Sequence, residues 1–272
     1  MNALRYFALL LAAGTLPALG QIHYAPTTQH YRLHSTVRRI TEQNGEKSDG
    51  TITNDQVVTM AIQASHGKSA LTDKDTLHFA VSLDSTNMSS TLAVQLPDVS
   101  VMQGTTVTGD MRPTGEVLNF RSDTKATDGV DRESIVASMA HFLVPLPASA
   151  TNGTNWTDTA STNVSKDSYS IQTTTITTSS VVGDTTYGGQ KAWRVRRQSV
   201  FKMTGTQKQT NQVVSSVGDG TGDGMYYISS HGVYLGSTAS QKMTMTVKSA
   251  GTVIPVVQTV TSTVEIALCA DS

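Results

Sequence analysis

The segment LHFAVSL, residues 77–83, decides the fold, because its large apolar side chains stand at every second position: Leu77, Phe79, Val81 and Leu83. Side chains along a β-strand point alternately to the two faces of a sheet. A period of two with one apolar face therefore predicts a strand that covers a core on one side and meets water on the other.

The same alternation recurs along the chain and predicts a mainly β protein. Threonine-rich runs such as residues 173–178 fit this pattern, since β-branched side chains are favoured in strands. The other apolar positions at this spacing are Tyr31, Leu33 and Val37; Val58, Met60, Ile62 and Ala64; Trp193, Val195, Phe201 and Met203; Met243, Met245 and Val247; and Ile254, Val256, Val260, Val264, Ile266 and Leu268.

Short turn signals separate these segments. They predict antiparallel pairing, because a turn of a few residues cannot make a parallel crossover. The expected turns are Asn44-Gly45, Asp49-Gly50, His66-Gly67, Gly188-Gly189, His231-Gly232 and Ala250-Gly251.

Two segments depart from the strand pattern. Residues 131–144 carry apolar side chains at helical spacing and are followed by Pro145, which predicts a single helix. Residues 149–166 are rich in Asn, Thr and Ser and predict a long connection, which Trp156 anchors in the core. The expected fold is thus an antiparallel curved sheet or half-barrel with one helix packed across it.

The N-terminus has the layout of a secretory signal peptide over residues 1–20. Arg5 precedes an apolar run at residues 6–13, and the small residues Ala18 and Gly20 lie before the expected cleavage point. We therefore expect residues 21–272 to form a single β-rich domain, exported to the periplasm or the extracellular space and soluble there.

The composition of the chain limits the classes of partner that we expect it to bind. Charged residues make up 15% of the chain and its net charge is −1, so nothing favours binding to nucleic acid. The only cysteine, Cys269, cannot form an internal disulfide, so packing must hold the exported fold.

The glycine-rich segment GDGTGDG, residues 218–224, predicts a turn or bulge. Asp219 and Asp223 within it are weak candidates for a cation site, although the spacing is not that of an EF-hand. The histidines show no zinc-binding spacing. We expect no metal and no cofactor.

Signals for catalysis are missing from the sequence. No serine stands in a G-x-S-x-G context, and the acidic residues show no paired arrangement. We therefore expect a protein that is not an enzyme.

A basic cluster on one predicted strand is the most informative charged feature. Arg194 and Arg196 fall on its polar face, whereas Arg197 shares the face of Trp193 and Val195. An inward arginine requires a carboxylate partner or the anionic group of a ligand. A local bulge that turns Arg197 outward is the alternative.

The order of elements resembles the half-barrel proteins of the LolA/LppX kind: antiparallel strands, one helix ended by proline, then a longer antiparallel run. The segments 222–227, 232–235 and 251–256 also look like those of uncharacterised bacterial secreted β proteins. The first resemblance implies a bacterial envelope protein whose curved sheet, closed by a helix, encloses an apolar cavity for lipid or acyl chains. It carries over no catalytic motif.

These features predict an exported binding protein that holds a lipid or other hydrophobic small molecule in an apolar groove. Methionine suits such a groove, because its flexible thioether adapts to irregular ligands. Arg197 is the candidate for contact with an anionic group. The candidate groove residues are Phe79, Val81, Met139, Phe142, Trp193, Phe201, Met243 and Met245.

Other functions stay open. A structural or interaction module of the cell envelope would hold an envelope protein partner through a sheet edge or a long loop. An outer-membrane β-barrel is disfavoured by the low aromatic content of 6% and by the helix expected in mid-chain. A hydrolase would need a Ser–His or His–carboxylate pair brought together by folding.

Overall fold

The computed structural model describes residues 21–64, 76–92, 98–122, 142–166, 169–209, 212–249 and 256–269. The predicted signal peptide lies outside the described residues. Within the described ranges the chain forms strands and one short 3₁₀-helix, Val99–Met102. No helix in these ranges is long and apolar enough to cross a membrane.

The described residues contain eleven strands, which pair into one sheet, and all their pairs are antiparallel. The strands are β1 (Thr27–Gln43), β2 (Glu46–Ala64), β3 (Leu77–Ser90), β4 (Thr106–Met111), β5 (Val117–Ser122), β6 (Asn155–Lys166), β7 (Tyr169–Tyr187), β8 (Gln190–Gln209), β9 (Gln212–Ser229), β10 (Tyr234–Ser249) and β11 (Val256–Leu268).

The sheet is open, with β5 at one edge and β6 at the other, in the order β5-β4-β3-β2-β1-β11-β10-β9-β8-β7-β6. The chain runs outward from β1 to the β5 edge, passes to the β6 edge, and returns strand by strand to pair β11 with β1. The prediction of a mainly β, antiparallel fold is confirmed.

One face of the sheet carries the core, and we call it the packed face. The N-terminal residues Ile22 and Tyr24 and the connection at residues 142–150 lie against it. Backbone hydrogen bonds fix them there, from Ile22 N–H to Ala150 O (3.2 Å) and from Leu146 N–H to Thr114 O (2.7 Å). The buried side chains of β1, β2 and β3 stand at every second residue, as the alternation predicts.

Three aromatic rings form the centre of this core. Tyr31 packs edge-on against Phe142 at 5.7 Å between ring centroids, and its ring lies 5.5 Å from that of Tyr234. The buried Tyr31 hydroxyl donates to the Tyr234 carbonyl at 2.7 Å, and the Tyr234 hydroxyl donates to Ser237 Oγ at 2.8 Å. Burial raises the pKa of both phenols, so both remain neutral donors.

The predicted helix over residues 131–144 lies mostly outside the described residues. Its described end, Phe142–Val144, is buried and forms a turn followed by residues without regular secondary structure. The Val144 N–H donates to the Tyr24 hydroxyl at 2.9 Å, a contact between two segments that lie outside the strands. The described residues thus contain no α-helix, and the detail of one helix packed across the sheet has no support from them.

Two other expectations are wrong. The long connection at 149–166 ends early, because residues 155–166 form the edge strand β6; threonine favours a strand, and an edge tolerates a polar sequence. Trp156 does pack against the core from this strand. The Asp49-Gly50 turn is also wrong, since Gly50 lies buried inside β2, where the Leu92 side chain occupies the space of a β-carbon.

Of the remaining turns, three are confirmed. Residues 44–45 and 188–189 connect hairpins with positive φ angles, and Gly232 lies in the turn between β9 and β10. The turns at His66-Gly67 and Ala250-Gly251 fall outside the described residues.

Candidate functional site

The packed face continues past the core as a patch of half-buried apolar side chains. Register places these side chains in two neighbouring rows, Phe201–Gly220–Met243–Val260 and Met203–Gly218–Met245. We call Phe201, Met203, Met243, Met245 and Val260 the apolar strip. Every member of the strip is partly exposed, in contrast to the buried side chains nearer the Tyr31 end of the strands.

Four glycines of β9 form the floor between the two sides of the strip. Gly218, Gly220, Gly222 and Gly224 all lie on the packed face, because they stand at alternate positions of a continuous strand. The expected turn or bulge at residues 218–224 is therefore wrong. The glycine alternation is itself the period-two signal of a strand, with one face reduced to backbone.

Glycine is required at these positions because neighbouring atoms occupy the space that a β-carbon would need. A β-carbon on Gly220 would occupy the position of the Phe201 ring and lie 2.5 Å from the Lys242 carbonyl oxygen. One on Gly222 would meet Ser199 Oγ at 2.5 Å. Side chains from β8 and β10 thus lie directly on the β9 backbone, and the floor of the strip is flat and uncharged.

A pair of polar side chains lies on the core side of the strip, separated from it by the row that contains Ser199 and Gln241. Arg197 and Ser179 are direct cross-strand partners on the packed face. Ser179 is 1% exposed and its Oγ has no hydrogen-bond partner, and the buried Nε of Arg197 has none either. Pairing of β8 with β9 is continuous from Ala192 to Gln209, so no bulge turns Arg197 outward.

Tyrosines lie on the core side of this arginine. The Arg197 guanidinium carbon stands 5.6 Å from the ring centroid of Tyr226, in a cation–π geometry. Burial raises the pKa of Tyr226, and the nearby positive charge of Arg197 opposes that rise. Burial likewise raises the pKa of Tyr24, and Arg197 opposes this rise too. Because both phenols stay neutral at physiological pH, neither supplies the arginine with a counter-charge.

The predicted groove residues divide into two groups. Phe79, Val81, Phe142 and Trp193 belong to the buried core cluster, and Met139 lies outside the described residues. Phe201, Met243 and Met245 come together in the apolar strip. The strip also contains Met203 and Val260, which the period-two alternation on the same strands had already marked as facing this side.

The two aspartates of the glycine-rich segment lie on the opposite face of the sheet, exposed. Asp223 Oδ1 accepts a hydrogen bond from Arg196 Nε at 3.0 Å, which makes it an ion-pair partner. Asp219 stands beside Lys202 in the register. Among the described residues no group of three or more His, Cys, Asp or Glu side chains is placed to hold a metal ion.

The opposite face carries polar features of its own. A shallow groove of about 370 Å³ is lined there by His34, Thr36, Met225, Thr238 and Glu265, among others. His34 Nδ1 lies 2.7 Å from Asp55 Oδ1, and both side chains are about half exposed. The Thr36 hydroxyl lies 3.4 Å from His34 Nε2, so folding brings a hydroxyl, an imidazole and a carboxylate together at this groove, at a position open to solvent.

A second cavity of about 520 Å³ lies where β7, β10 and β11 end. Cys269 lines it together with Tyr187 and Leu235, and this thiol forms no disulfide. Tyr187 also stacks on Tyr227 at 4.0 Å, outside the packed face. A single thiol beside aromatic and aliphatic side chains does not indicate a particular reaction or ligand.

Known proteins add little to this geometry. No protein-family profile matches the sequence, and no curated protein is significantly similar to it. A DUF1329 family protein from Desulfovibrio piger ATCC 29098 is 11% identical, with a TM-score of 0.16, over 86% of this chain and 84% of its own. The outer membrane protein OmpT of Vibrio cholerae, in-vitro folded and in trimer form, is 8% identical, with a TM-score of 0.20, over 89% of this chain and 99% of its own. Likenesses this distant carry no argument about function.

Proposed function

We propose that this chain is an exported, non-enzymatic protein that binds a lipid or other hydrophobic small molecule on the apolar strip. The observation that carries the proposal is the partial exposure of Phe201, Met203, Met243, Met245 and Val260 on the face that elsewhere forms the core. Apolar side chains next to a core are normally covered. A chain-like hydrophobic ligand would complete that cover.

The composition of the strip suits such a ligand. Thioethers of three methionines are flexible and polarisable, so they adapt to an acyl chain without a fixed shape. The glycine floor lets the Phe201 ring lie directly on the β9 backbone, so Phe201 and the methionines present a flat apolar surface to a ligand chain. Each methylene removed from water contributes about 0.8 kcal/mol, so binding needs no chemical step.

The groups around the strip fit a binding role rather than catalysis. The neighbouring polar side chains on the packed face are hydroxyl groups, the amides of Gln241 and Gln258, and the guanidinium groups of Arg39 and Arg197. The Ser179 hydroxyl has no hydrogen-bond partner that could act as its base, and Asp158, which faces the same side from β6 opposite Thr177, is exposed to solvent. Export remains part of the proposal, supported by the signal-peptide pattern of residues 1–20.

The open edge of the sheet favours a second candidate function, that of an interaction module in the cell envelope. Strand β6 is 12 residues long and pairs only with β7 in the described sheet. An unpaired edge offers backbone groups to which another protein can add a strand. This function needs no ligand on the apolar strip, which separates it from the first.

Native mass spectrometry tests the proposal. The protein is recovered from its own exported compartment, measured intact, and then extracted with organic solvent. The proposal predicts extra mass on the folded protein that leaves with the solvent and that returns when oleyl alcohol or oleate is added. A clean mass that takes up neither compound would contradict it and would favour the interaction module.

A further inference from the structure

The charged group beside the apolar strip narrows the class of ligand. We infer that the ligand carries an anionic group, a carboxylate or a phosphate, held by the Arg197 guanidinium together with the Ser179 hydroxyl. This inference rests on the proposed function and deepens it, because a purely apolar ligand would leave the guanidinium without a counter-charge and the Ser179 hydroxyl without a hydrogen-bond partner.

Backbone pairing fixes the arginine in place. Arg197 lies between Val195, a fully buried core residue, and Phe201 of the apolar strip, on one face of an uninterrupted stretch of β8. Its cross-strand neighbour on β7 is Ser179, and its neighbour on β9 is Gly224. Gly224 has no side chain of its own, and the Tyr226 ring and Ala239 Cβ lie against it.

The described part of the chain supplies no anion that neutralises this guanidinium. The nearest positions on the packed face are Ser199, Gly224 and Tyr226 beside it and Thr177 diagonally across, and none is acidic. No described carboxylate lies within ion-pair distance of Arg197, whereas the next residue along, Arg196, pairs with Asp223 at 3.0 Å. A partly buried charge that contacts only neutral groups, here the Tyr226 ring, is incompletely compensated, so the site favours an anion from outside the chain.

The donor groups of Arg197 and Ser179 determine which anionic group of a ligand they can bind. A guanidinium presents parallel N–H donors that match the two oxygens of a carboxylate or the oxygens of a phosphate. The Ser179 hydroxyl, directly across the strand pair and without a partner, adds a further donor. Arg197 as a residue is partly exposed, so a ligand can reach its guanidinium.

The spacing along β8 joins the two parts of the site. Phe201 is four residues from Arg197, which in a strand corresponds to roughly 13 Å. An anionic group at Arg197 therefore leaves its attached acyl chain over Phe201, Met243 and their neighbours. The expected ligand is an amphiphile with one anionic group and an extended acyl chain.

Three probes with the same chain test the inference on the full-length mature protein: oleate, oleyl phosphate and oleyl alcohol. Calorimetric titration should show oleate, oleyl phosphate or both binding about tenfold to a hundredfold more tightly than the neutral alcohol, as expected for charge-assisted hydrogen bonds. The stronger of the two anions identifies the headgroup chemistry.

Variants assign that preference to its residues. Arg197→Gln should remove the preference for anions and leave the affinity for oleyl alcohol unchanged. Arg197→Lys should keep part of the preference, because it retains the charge but loses the planar donor pair. Arg196→Gln is the matched control, one residue away on the opposite face, and should bind all three probes as the wild type does.

Equal binding of the three probes to the wild type would overturn the inference and leave the proposed function intact. An unchanged anion preference in Arg197→Gln would also overturn it. If none of the three probes binds, the inference and the proposed function fall together. The comparison of probes uses the wild type, so the inference stays testable even if Arg197→Gln does not fold.

Discussion

The aromatic ring of Phe201 lies on the backbone of Gly220, its cross-strand partner, in the space that a β-carbon would fill. This contact joins β8 to β9 at the centre of the apolar strip. It also explains why a glycine stands in mid-strand, where it is otherwise unfavourable.

The loss of stability when a floor glycine is replaced by alanine should depend on which atoms the new β-carbon contacts. Gly220→Ala meets the Phe201 ring and the Lys242 carbonyl oxygen, and the backbone oxygen cannot rotate away. Overpacking of this kind costs about 1–3 kcal/mol. Gly222→Ala mainly meets Ser199 Oγ, and Ser199→Ala should therefore relieve much of its cost. Urea unfolding of Gly222→Ala, Ser199→Ala and the double variant measures the coupling between these two positions. Equal losses of stability in Gly220→Ala and Gly222→Ala, with no coupling between Gly222 and Ser199, would contradict the packing described.

The Tyr24 hydroxyl should stabilise the connection that covers the core. It accepts a hydrogen bond from the Val144 N–H at 2.9 Å, so Tyr24→Phe leaves that buried N–H without its partner. We expect a loss of about 1–3 kcal/mol in the free energy of unfolding. Tyr227→Phe is the control, since its ring stacks on Tyr187 outside the core and its hydroxyl makes no hydrogen bond to a described residue. Equal losses in the two variants would refute the role of the Tyr24–Val144 contact.

How far the sequence predicts this molecule depends on which physical signal each part carries. Period-two alternation predicts β1, β2 and β3 and the orientation of Arg197, because strand geometry alone sets which face a residue meets. The sequence pattern predicts a connection at β6 and a turn at the glycine floor, whereas both segments are strands. In both segments the alternating positions are occupied by small or polar residues rather than by large apolar ones. Pairing with neighbouring strands, not local pattern, makes these segments strands.

The candidate site was partly predictable for the same reason. The apolar faces of β8 and β10 gave Phe201, Met243 and Met245 their expected side of the sheet. Their separation from the buried Phe79 and Trp193 could not be predicted. That separation depends on where residues 142–150 end on the packed face, which is a matter of tertiary contact rather than local pattern.

Acid should release a stabilising contact at the β4–β5 edge. The hydrogen bond from Asn119 Nδ2 to Asp110 Oδ2 (2.9 Å), followed by that from His78, lowers the pKa of Asp110 below its ordinary value of 3.8. A lowered folded-state pKa means that the carboxylate adds stability above pH 3.8, which is lost as the pH falls through the folded-state pKa.

Replacing the amide should therefore raise the pKa of Asp110 and reduce stability above that range. Carboxyl-carbon NMR titration of Asn119→Ala measures the pKa directly. Asp98 is the internal control, because its lowered pKa comes from hydrogen bonds donated by Ser100 and should not move. An unchanged pKa of Asp110 would show that Asn119 does not hold it down.

A single polar substitution in the strip should weaken ligand binding without harming the strand. Met243→Gln keeps the length of the side chain but places an amide against the acyl chain, and we expect about three- to tenfold weaker binding of oleyl alcohol. Gln241 already occupies the same face of β10, so an amide is compatible with that strand. Thr244→Gln, exposed on the opposite face of β10, is the matched control for calorimetric titration.

The most direct measurement locates the ligand by NMR of methionine methyl groups with a spin-labelled stearate. Binding on the apolar strip predicts strong broadening of the methyl signals of Met203, Met243 and Met245. Met225, on the opposite face of β9, and the fully buried Met60 should stay sharp. No broadening, or equal broadening of Met225 and the strip methionines, would contradict the proposal that this face of the sheet binds a hydrophobic ligand.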